Sequence, residues 1–274
     1  MTDAMTQEQI DQQNRQFWQE LCGSGLARHI GITDHSPESL RRFDAAYMDI
    51  YPYLLKHVCG LEGRRVLEVG LGYGTLSQII ASQASFFRGL DISAAAAELV
   101  NTRLRIQGLR GEAICGSVLD IPFPEASFDV AVSIGCLHHT GNMQRAVDEI
   151  HRVLAPGGRA IIMVYNRFSL RQWKTRGLGL LAEWFKGRPH ENQQARVRAQ
   201  YDASADGEAA PFTELFSRGD IRRVFSRFAE VRCRRENMDP MTRNGSVVID
   251  RKKLLGLPAR LLGLDWYITA RKAL

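Results

Sequence analysis

The segment Val66–Ser77, with the sequence VLEVGLGYGTLS, constrains the fold of this chain more than any other stretch. It begins with an apolar run that is typical of a strand buried on both faces. Glycines then occupy alternate positions, Gly70, Gly72 and Gly74, where a chain can turn sharply and approach a ligand closely. A helix-compatible pattern resumes at Thr75. The segment therefore predicts a strand, a glycine-rich turn and a helix, an arrangement at which open parallel sheets bind nucleotides.

The spacing of the glycines distinguishes two classes of nucleotide-binding protein. A dinucleotide-binding fingerprint requires glycine at its first, third and sixth positions, where this chain has Gly70, Gly72 and Thr75. Here Glu68 precedes Gly70 by two residues, and glycine follows at every second position. This Glu-x-Gly-x-Gly-x-Gly pattern resembles motif I of the class I S-adenosylmethionine-dependent methyltransferases. The resemblance implies that the amino-acid tail of the cofactor lies against the bare backbone of this turn.

Patterns typical of strands and helices alternate along the chain after the motif. Such alternation predicts a parallel sheet with helices on both faces. With the resemblance, it predicts an α/β, Rossmann-like fold: a seven-stranded, mostly parallel sheet with an antiparallel last strand and a helical insertion. The later predicted strands are 86–92, 113–116, 128–134, 159–165, 229–236 and 264–271, and predicted helices include 75–81, 143–154 and 218–228.

Acidic residues accompany the first three predicted strands. Asp91 ends the second strand, where its carboxylate can accept hydrogen bonds from both vicinal hydroxyls of a ribose. The resemblance implies that Asp120 receives the adenine amino group and that Ile121 offers an apolar surface to the purine. The alternatives are a helix cap for Asp91 and a turn residue for Asp120. The predicted cofactor-binding residues are Glu68, Gly70, Gly72, Gly74, Asp91, Ile92, Asp120, Ile121, Ser133 and Gly135.

Candidate acceptor-side residues lie outside the motif. His138 and His139 follow the fourth strand, and either neutral imidazole could act as a general base; loop packing is the alternative. Tyr47 and Tyr51 precede the motif strand and could contact the substrate, or simply pack in the core. Trp173 belongs to a basic, aromatic insertion whose segment 168–185 is predicted to form a lid over the acceptor site, or to contact a membrane surface.

Length and composition limit the class of protein. With 274 residues, 45% of them hydrophobic and 24% charged, the chain has the composition of a soluble globular protein. The polar N-terminus and the lack of a long apolar run predict neither a secretion signal nor a membrane span. Five cysteines without a Cys-x-x-Cys pair argue against a disulfide framework or a zinc site. We therefore expect a cytoplasmic protein without a metal.

The formal net charge of +6 is unevenly distributed, because six arginines fall between positions 222 and 235. Such a cluster is either a solvated basic face or a surface that attracts an anionic substrate, a membrane or a nucleic acid. Oligomeric state is not encoded in any pattern that we recognise. The chain is predicted to comprise a helical arm (1–60), a cofactor-binding core (61–166), a helical insertion or lid (167–213) and a C-terminal part of the core sheet with its own helical insertion (214–274).

The run Glu-Ile-His-Arg-Val-Leu-Ala-Pro-Gly-Gly at 149–158 is similar to the ubiquinone/menaquinone-type branch of small-molecule methyltransferases. The predicted function is methyl transfer from S-adenosylmethionine to an oxygen, nitrogen or carbon of a small molecule, leaving S-adenosylhomocysteine. A nicotinamide-dependent oxidoreductase is disfavoured because Thr75 stands where its fingerprint requires a third glycine, and because Asp120 adds a second acidic site. Nucleic-acid methyltransferases that act on adenine amino groups carry an Asn/Asp-Pro-Pro-aromatic run after the fourth strand. This chain has Gly-Cys-Leu-His-His there, which disfavours that class. A non-catalytic scaffold of the same fold remains the third alternative.

Overall fold

The computed structural model describes residues 5–19, 25–174, 202, 207–243 and 245–274. Its strands are β1 (Arg65–Val69), β2 (Phe86–Asp91), β3 (Glu112–Cys115), β4 (Phe128–Ile134), β5 (Leu154–Tyr165), β6 (Glu230–Glu236), β7 (Met241–Arg243), β8 (Ser246–Ile249) and β9 (Asp265–Arg271). Seven of them form one sheet in the order β3-β2-β1-β4-β5-β9-β6, and β7 pairs with β8 in a separate hairpin.

Strand directions agree with the predicted Rossmann-like architecture. Strands β1 to β5 pair in parallel, and β9 runs antiparallel to both β5 and β6. The chain moves outward from β1 to β3 and then returns to the other side of β1 at β4. This reversal opens a crevice at the carboxyl ends of β1 and β4, which is where sheets of this kind bind ligands.

Helices cover both faces of the sheet. They are α1 (Gln7–Trp18), α2 (Gly25–His29), α3 (Pro37–Ile50), α4 (Leu54–His57), α5 (Thr75–Gln83), α6 (Ala94–Ile106), α7 (Met143–Val153), α8 (Leu170–Trp173), α9 (Arg218–Val224), α10 (Arg251–Leu254) and α11 (Leu257–Leu262). Local sequence sets several of these starts: the Ser36 hydroxyl accepts a hydrogen bond from the Ser39 amide, and Pro37 occupies the first turn. Ser93 caps α6 in the same way.

Two apolar clusters form the core, one on each face of the sheet. One combines residues of α7 and α9 with strand residues such as Leu67 and Ile162. The other combines residues of α4, α5 and α6 with strand residues such as Val66 and Val132. Because adjacent residues of a strand face opposite sides, β1 supplies Leu67 and Val69 to the first cluster and Val66 to the second.

Several predicted boundaries differ from the structure. Strand β5 begins at Leu154, five residues before the predicted start, and pairs with Phe128 before residues 155–158 bulge out. Helix α9 ends at Val224, although Phe225 and Phe228 are still buried as the amphipathic pattern requires. The hairpin of β7 and β8 was not predicted, and 250–263, which the sequence left unassigned, contains α10 and α11.

Among the described residues, none of the helices combines the length and the apolar character that crossing a membrane requires.

Candidate functional site

A cavity of about 220 Å³ opens at the carboxyl ends of β1, β2 and β4. Helices α1 and α3 contribute its other walls, together with Asp202. The predicted site residues that line this cavity are Tyr47, Glu68, Gly70, Gly72, Asp91, Ile92, Gly135 and His139. Residues far apart in sequence therefore meet at the crevice that the strand order creates.

The three motif glycines are required for three different reasons. All have positive φ, at 80° for Gly70, 50° for Gly72 and 74° for Gly74, a region that disfavours other residues. A Cβ atom at Gly70 would lie 2.4 Å from Cβ of Cys136, and one at Gly74 would lie 2.8 Å from Cγ2 of Val100. No protein atom comes within 4 Å of a Cβ at Gly72. Gly70 and Gly74 thus permit packing, whereas Gly72 leaves open space at the cavity wall.

Asp91 is held in place by backbone amides. Its Oδ2 atom accepts a hydrogen bond of 2.6 Å from the Leu71 amide, and Oδ1 accepts one of 2.8 Å from the Ser93 amide. Burial raises the pKa of Asp91 above its ordinary value, and these amides oppose the rise because they stabilise the anion. The carboxylate keeps further lone pairs with which it can accept hydrogen bonds from a ligand.

Glu68 is a buried acid at the cavity, with 2% of its surface exposed. Its Oε2 atom has no hydrogen-bond partner within the described part of the chain. Burial, together with the neighbouring Asp91 carboxylate, raises the pKa of Glu68 to about 8. A cationic ligand group would supply the counter-charge that favours the ionised form.

Four predicted cofactor residues do not line the cavity: Gly74, Asp120, Ile121 and Ser133. Ile121 is tied to α7 because its amide donates to Glu149 (2.9 Å) and its carbonyl accepts from Arg152 (2.8 Å). That tether turns residues 120–121 away, leaving the Asp120 side chain exposed, and residues 117–119 of the same loop face the cavity instead. The prediction that Asp120 contacts adenine has no support from this geometry.

The N-terminal arm contributes part of the cavity wall. Asn14 and Trp18 of α1 and Tyr47 of α3 line it. The Asn14 amide donates a 2.7 Å hydrogen bond to the carbonyl of His139, and the Trp18 ring lies 5.0 Å from the His139 ring. The arm is thereby fastened to the loop after β4.

His138 and His139 occupy different environments. His139 lines the cavity, and its Nδ1 atom lies 2.8 Å from the carbonyl oxygen of Phe212, so that Nδ1 carries the hydrogen. Its Nε2 atom lies 3.4 Å from Oδ2 of Asp202. His138 does not line the cavity and is 1% exposed, and burial holds its pKa well below the ordinary value. His138 is therefore neutral, and only His139 faces the cavity as a general base must.

Two predicted acceptor-side residues also lie away from the cavity lining. Tyr51 packs against Tyr47 at 4.9 Å and Tyr53 at 6.2 Å between ring centroids. Trp173 ends α8 with 66% of its surface exposed. Most of the predicted lid, from residue 175 onward, falls outside the described residues.

Several cavity residues were missed by the sequence reasoning. Asp202 and Asn14 had no local signal, because each is brought to the site by contacts with distant residues. Cys136 and Thr140 flank the predicted histidine pair and could have been included as parts of the same loop.

Comparison with known proteins agrees with this geometry. Residues 67–162 match the family described as Methyltransferase domain. Over this segment the chain is similar to methyltransferases, and one relative, 35% identical over 115 residues, is named a probable S-adenosylmethionine-dependent methyltransferase. The predicted resemblance is confirmed over this segment, which covers the glycine motif, Asp91 and the histidine pair.

The curated relatives of this methyltransferase domain resemble part of the chain. Demethylmenaquinone methyltransferase of Tropheryma whipplei is 32% identical over 105 residues, or 38% of this chain and 43% of the relative. Fatty-acid O-methyltransferase of Mycolicibacterium smegmatis is 31% identical over 153 residues, which are 53% of this chain and 55% of the relative. The chain thus spans about half the length of these relatives.

Solved structures share the fold over more of the chain. An S-adenosylmethionine-dependent methyltransferase of Methanosarcina mazei matches 82% of this chain and 97% of its own, with a TM-score of 0.53 and 22% identity. The [4+2]-cyclase SpnF matches 99% of this chain and 97% of its own, with a TM-score of 0.54 and 17% identity. These likenesses confirm the Rossmann-like fold. A fold shared with a cyclase means that activity must be argued from the site.

The residues of the methyltransferase domain fit S-adenosylmethionine. The unpartnered Oε2 of Glu68 suits the cationic amino group of the cofactor's tail. The open space beside Gly72 suits close approach of the tail, and Asp91 has acceptor capacity for the ribose hydroxyls. These three residues, which the sequence also predicted, would hold the cofactor.

Proposed function

We propose that this protein transfers the sulfonium methyl group of S-adenosylmethionine to an oxygen, nitrogen or carbon nucleophile of a small molecule. The observation that carries the proposal is that one cavity is lined by Glu68, Gly72 and Asp91 together with the aromatic side chains of Trp18 and Tyr47. The cofactor supplies a methyl group bonded to a positively charged sulfur, which is a good leaving group. The protein's contribution is then mainly to hold the acceptor in line with that methyl group.

The aromatic lining of the cavity favours an acceptor with an apolar body. Trp18, Phe43 and Tyr47 line the cavity, and burial raises the pKa of Tyr47, which therefore remains neutral. Aromatic walls exclude water and bind apolar surface. The names of the similar proteins, which include a demethylmenaquinone and a fatty-acid methyltransferase, point to the same chemical class.

The proposal is tested with methyl-labelled S-adenosylmethionine and a panel of apolar acceptors, among them long-chain carboxylic acids and quinols. Labelled product should form with the intact chain, and calorimetry should show binding of both cofactor and S-adenosylhomocysteine. Absence of cofactor binding, or tight binding of a nicotinamide dinucleotide instead, would contradict the proposal.

A matched pair of glycine substitutions controls for folding. Gly72→Val should abolish cofactor binding, because the new side chain enters the open space at the cavity. Gly108→Val imposes the same backbone strain, since Gly108 also has positive φ (64°) and no atom within 4 Å of its Cβ position, but it does not line the cavity. The Gly108 variant should keep wild-type affinity.

A further inference from the structure

A cluster of three ligand-type side chains adjoins the cavity. His138, His139 and Asp202 each place one nitrogen or oxygen atom so that the three atoms lie within 4.8 Å of one another. His138 and His139 are buried, at 1% and 3% exposure, and Asp202 is partly buried. We propose that this cluster binds a divalent transition-metal ion at the wall of the cavity.

The unsatisfied histidine nitrogens point to a ligand. Both ring nitrogens of His138 have no hydrogen-bond partner in the described part of the chain, and Nε2 of His139 makes no hydrogen bond there, although it lies 3.4 Å from Oδ2 of Asp202. Leaving buried polar atoms unpaired is costly, and native structures almost always satisfy them. A metal ion would use one nitrogen from each ring.

The surroundings orient the candidate ligands as metal ligands are usually oriented. Nδ1 of His139 donates to the Phe212 carbonyl, which leaves Nε2 as the ligating atom. The Tyr165 hydroxyl donates a 2.8 Å hydrogen bond to Oδ2 of Asp202. Ligating histidines typically donate their second N–H to a carbonyl, and ligating carboxylates are themselves hydrogen-bonded.

The distances require little adjustment. Two ligands that each lie about 2.0–2.2 Å from a tetrahedral metal ion are roughly 3.4 Å apart. Nε2 of His139 is 3.4 Å from Oδ2 of Asp202. The remaining ligand atoms, within 4.8 Å, would close in by about 1.4 Å or less through side-chain rotation.

The donor set indicates which ions fit. Two imidazoles and one carboxylate suit Zn²⁺, Fe²⁺ or Co²⁺, whereas Mg²⁺ and Ca²⁺ prefer oxygen ligands. Three protein ligands leave coordination positions open, as at catalytic rather than structural sites. His139 and Asp202 line the cavity, so that an open position is accessible from it.

This placement defines a role that rests on the proposed function. An acceptor hydroxyl bound to the ion would lose its proton to water more readily, because the cation stabilises the alkoxide. The oxygen would then form its bond to the methyl carbon as the carbon–sulfur bond breaks, which yields the methyl ether and the neutral thioether. Nε2 of His139 would act as a ligand and not as a base.

Metal binding is measured without cofactor or acceptor, so that its outcome is independent of the proposed function. The full chain is stripped with a chelator and titrated with Co²⁺, whose visible absorption reports its coordination. We expect one equivalent to bind with intense tetrahedral or five-coordinate bands, and Zn²⁺ to displace it. Asp202→Asn and His138→Gln should each weaken binding at least tenfold, while His35→Gln, at an exposed histidine, should not.

Far-UV circular dichroism and urea unfolding of each variant verify that the fold is intact. If Co²⁺ fails to bind the intact chain at millimolar concentration, the proposal is wrong. It is equally wrong if properly folded Asp202→Asn and His138→Gln variants bind Co²⁺ as tightly as the His35 control. In those cases the sequence-based hypothesis of His139 as a general base would be preferred, and methyl transfer would be insensitive to chelators.

Discussion

Replacing Glu68 by Gln should change how the stability of the ligand-free protein depends on pH. In the folded chain the pKa of Glu68 is raised from 4.5 to about 8, because the side chain is buried beside Asp91. Between these two values the folded state holds a proton that the unfolded state has released. Unfolding therefore becomes easier as the pH rises from 4.5 to 8, and above 8 this contribution is constant.

The size of the effect follows from the width of the pH window. Between pH 6 and pH 8, each unit costs about 1.4 kcal/mol for one proton, so that wild type should lose roughly 3 kcal/mol relative to the variant. Local relaxation around the buried carboxylate would reduce this figure. Glu68→Gln removes the titrating carboxyl group, so that the free energy of unfolding of this variant should lack the Glu68 contribution to its pH dependence. Glu62 is exposed, and Glu62→Gln should behave like wild type.

Urea unfolding at several pH values between 5 and 9 measures this difference directly. The free energies of unfolding of wild type and Glu68→Gln should diverge steadily up to pH 8. Curves that stay parallel over this range would refute the raised pKa of Glu68. The same variant should bind S-adenosylmethionine more weakly, since it lacks the anion that we assign to the cofactor's amino group.

Three further substitutions probe the framework of the site. Gly74→Ala should lower the free energy of unfolding by about 2–4 kcal/mol, from positive φ and from crowding against Val100, with the loss read from urea unfolding. Asp91→Asn should weaken cofactor affinity by about 1–3 kcal/mol in calorimetry, and an unchanged affinity would remove Asp91 from the cofactor site. Arg103→Met removes the cation from a partly buried ion pair with Asp44, which keeps its hydrogen bonds from Thr75 and Gln78, and should destabilise the chain by about 1–3 kcal/mol; a negligible loss would mean that this pair does not anchor α3.

Short-range patterns determined much of the fold from sequence. The glycine spacing after β1 specifies positive φ at 70, 72 and 74, and hydroxyl caps fix the starts of α3 and α6. These effects act within a few residues, so no tertiary information is needed to read them. The family resemblance then supplied the number of strands and the antiparallel last strand, which local patterns do not contain.

The tertiary structure decided which residues of each loop face the cavity. Sequence reasoning put Asp120 and Ile121 there, but contacts of Ile121 with Glu149 and Arg152 turn residues 117–119 inward instead. Such a tether joins residues about 30 positions apart, and no periodicity encodes it.

The surroundings of His138 and His139 also depended on tertiary contacts that the sequence does not show. The sequence singled out His138 and His139 but could not distinguish a buried ring from one that faces the cavity, since adjacent side chains in an irregular turn have no fixed relation. Asp202 reaches His139 from more than 60 residues away, and Asn14 reaches its carbonyl from 125. The sequence alone determined where the cofactor motif lies. Tertiary packing decided that His139, Asp202 and Asn14 line the same cavity as that motif.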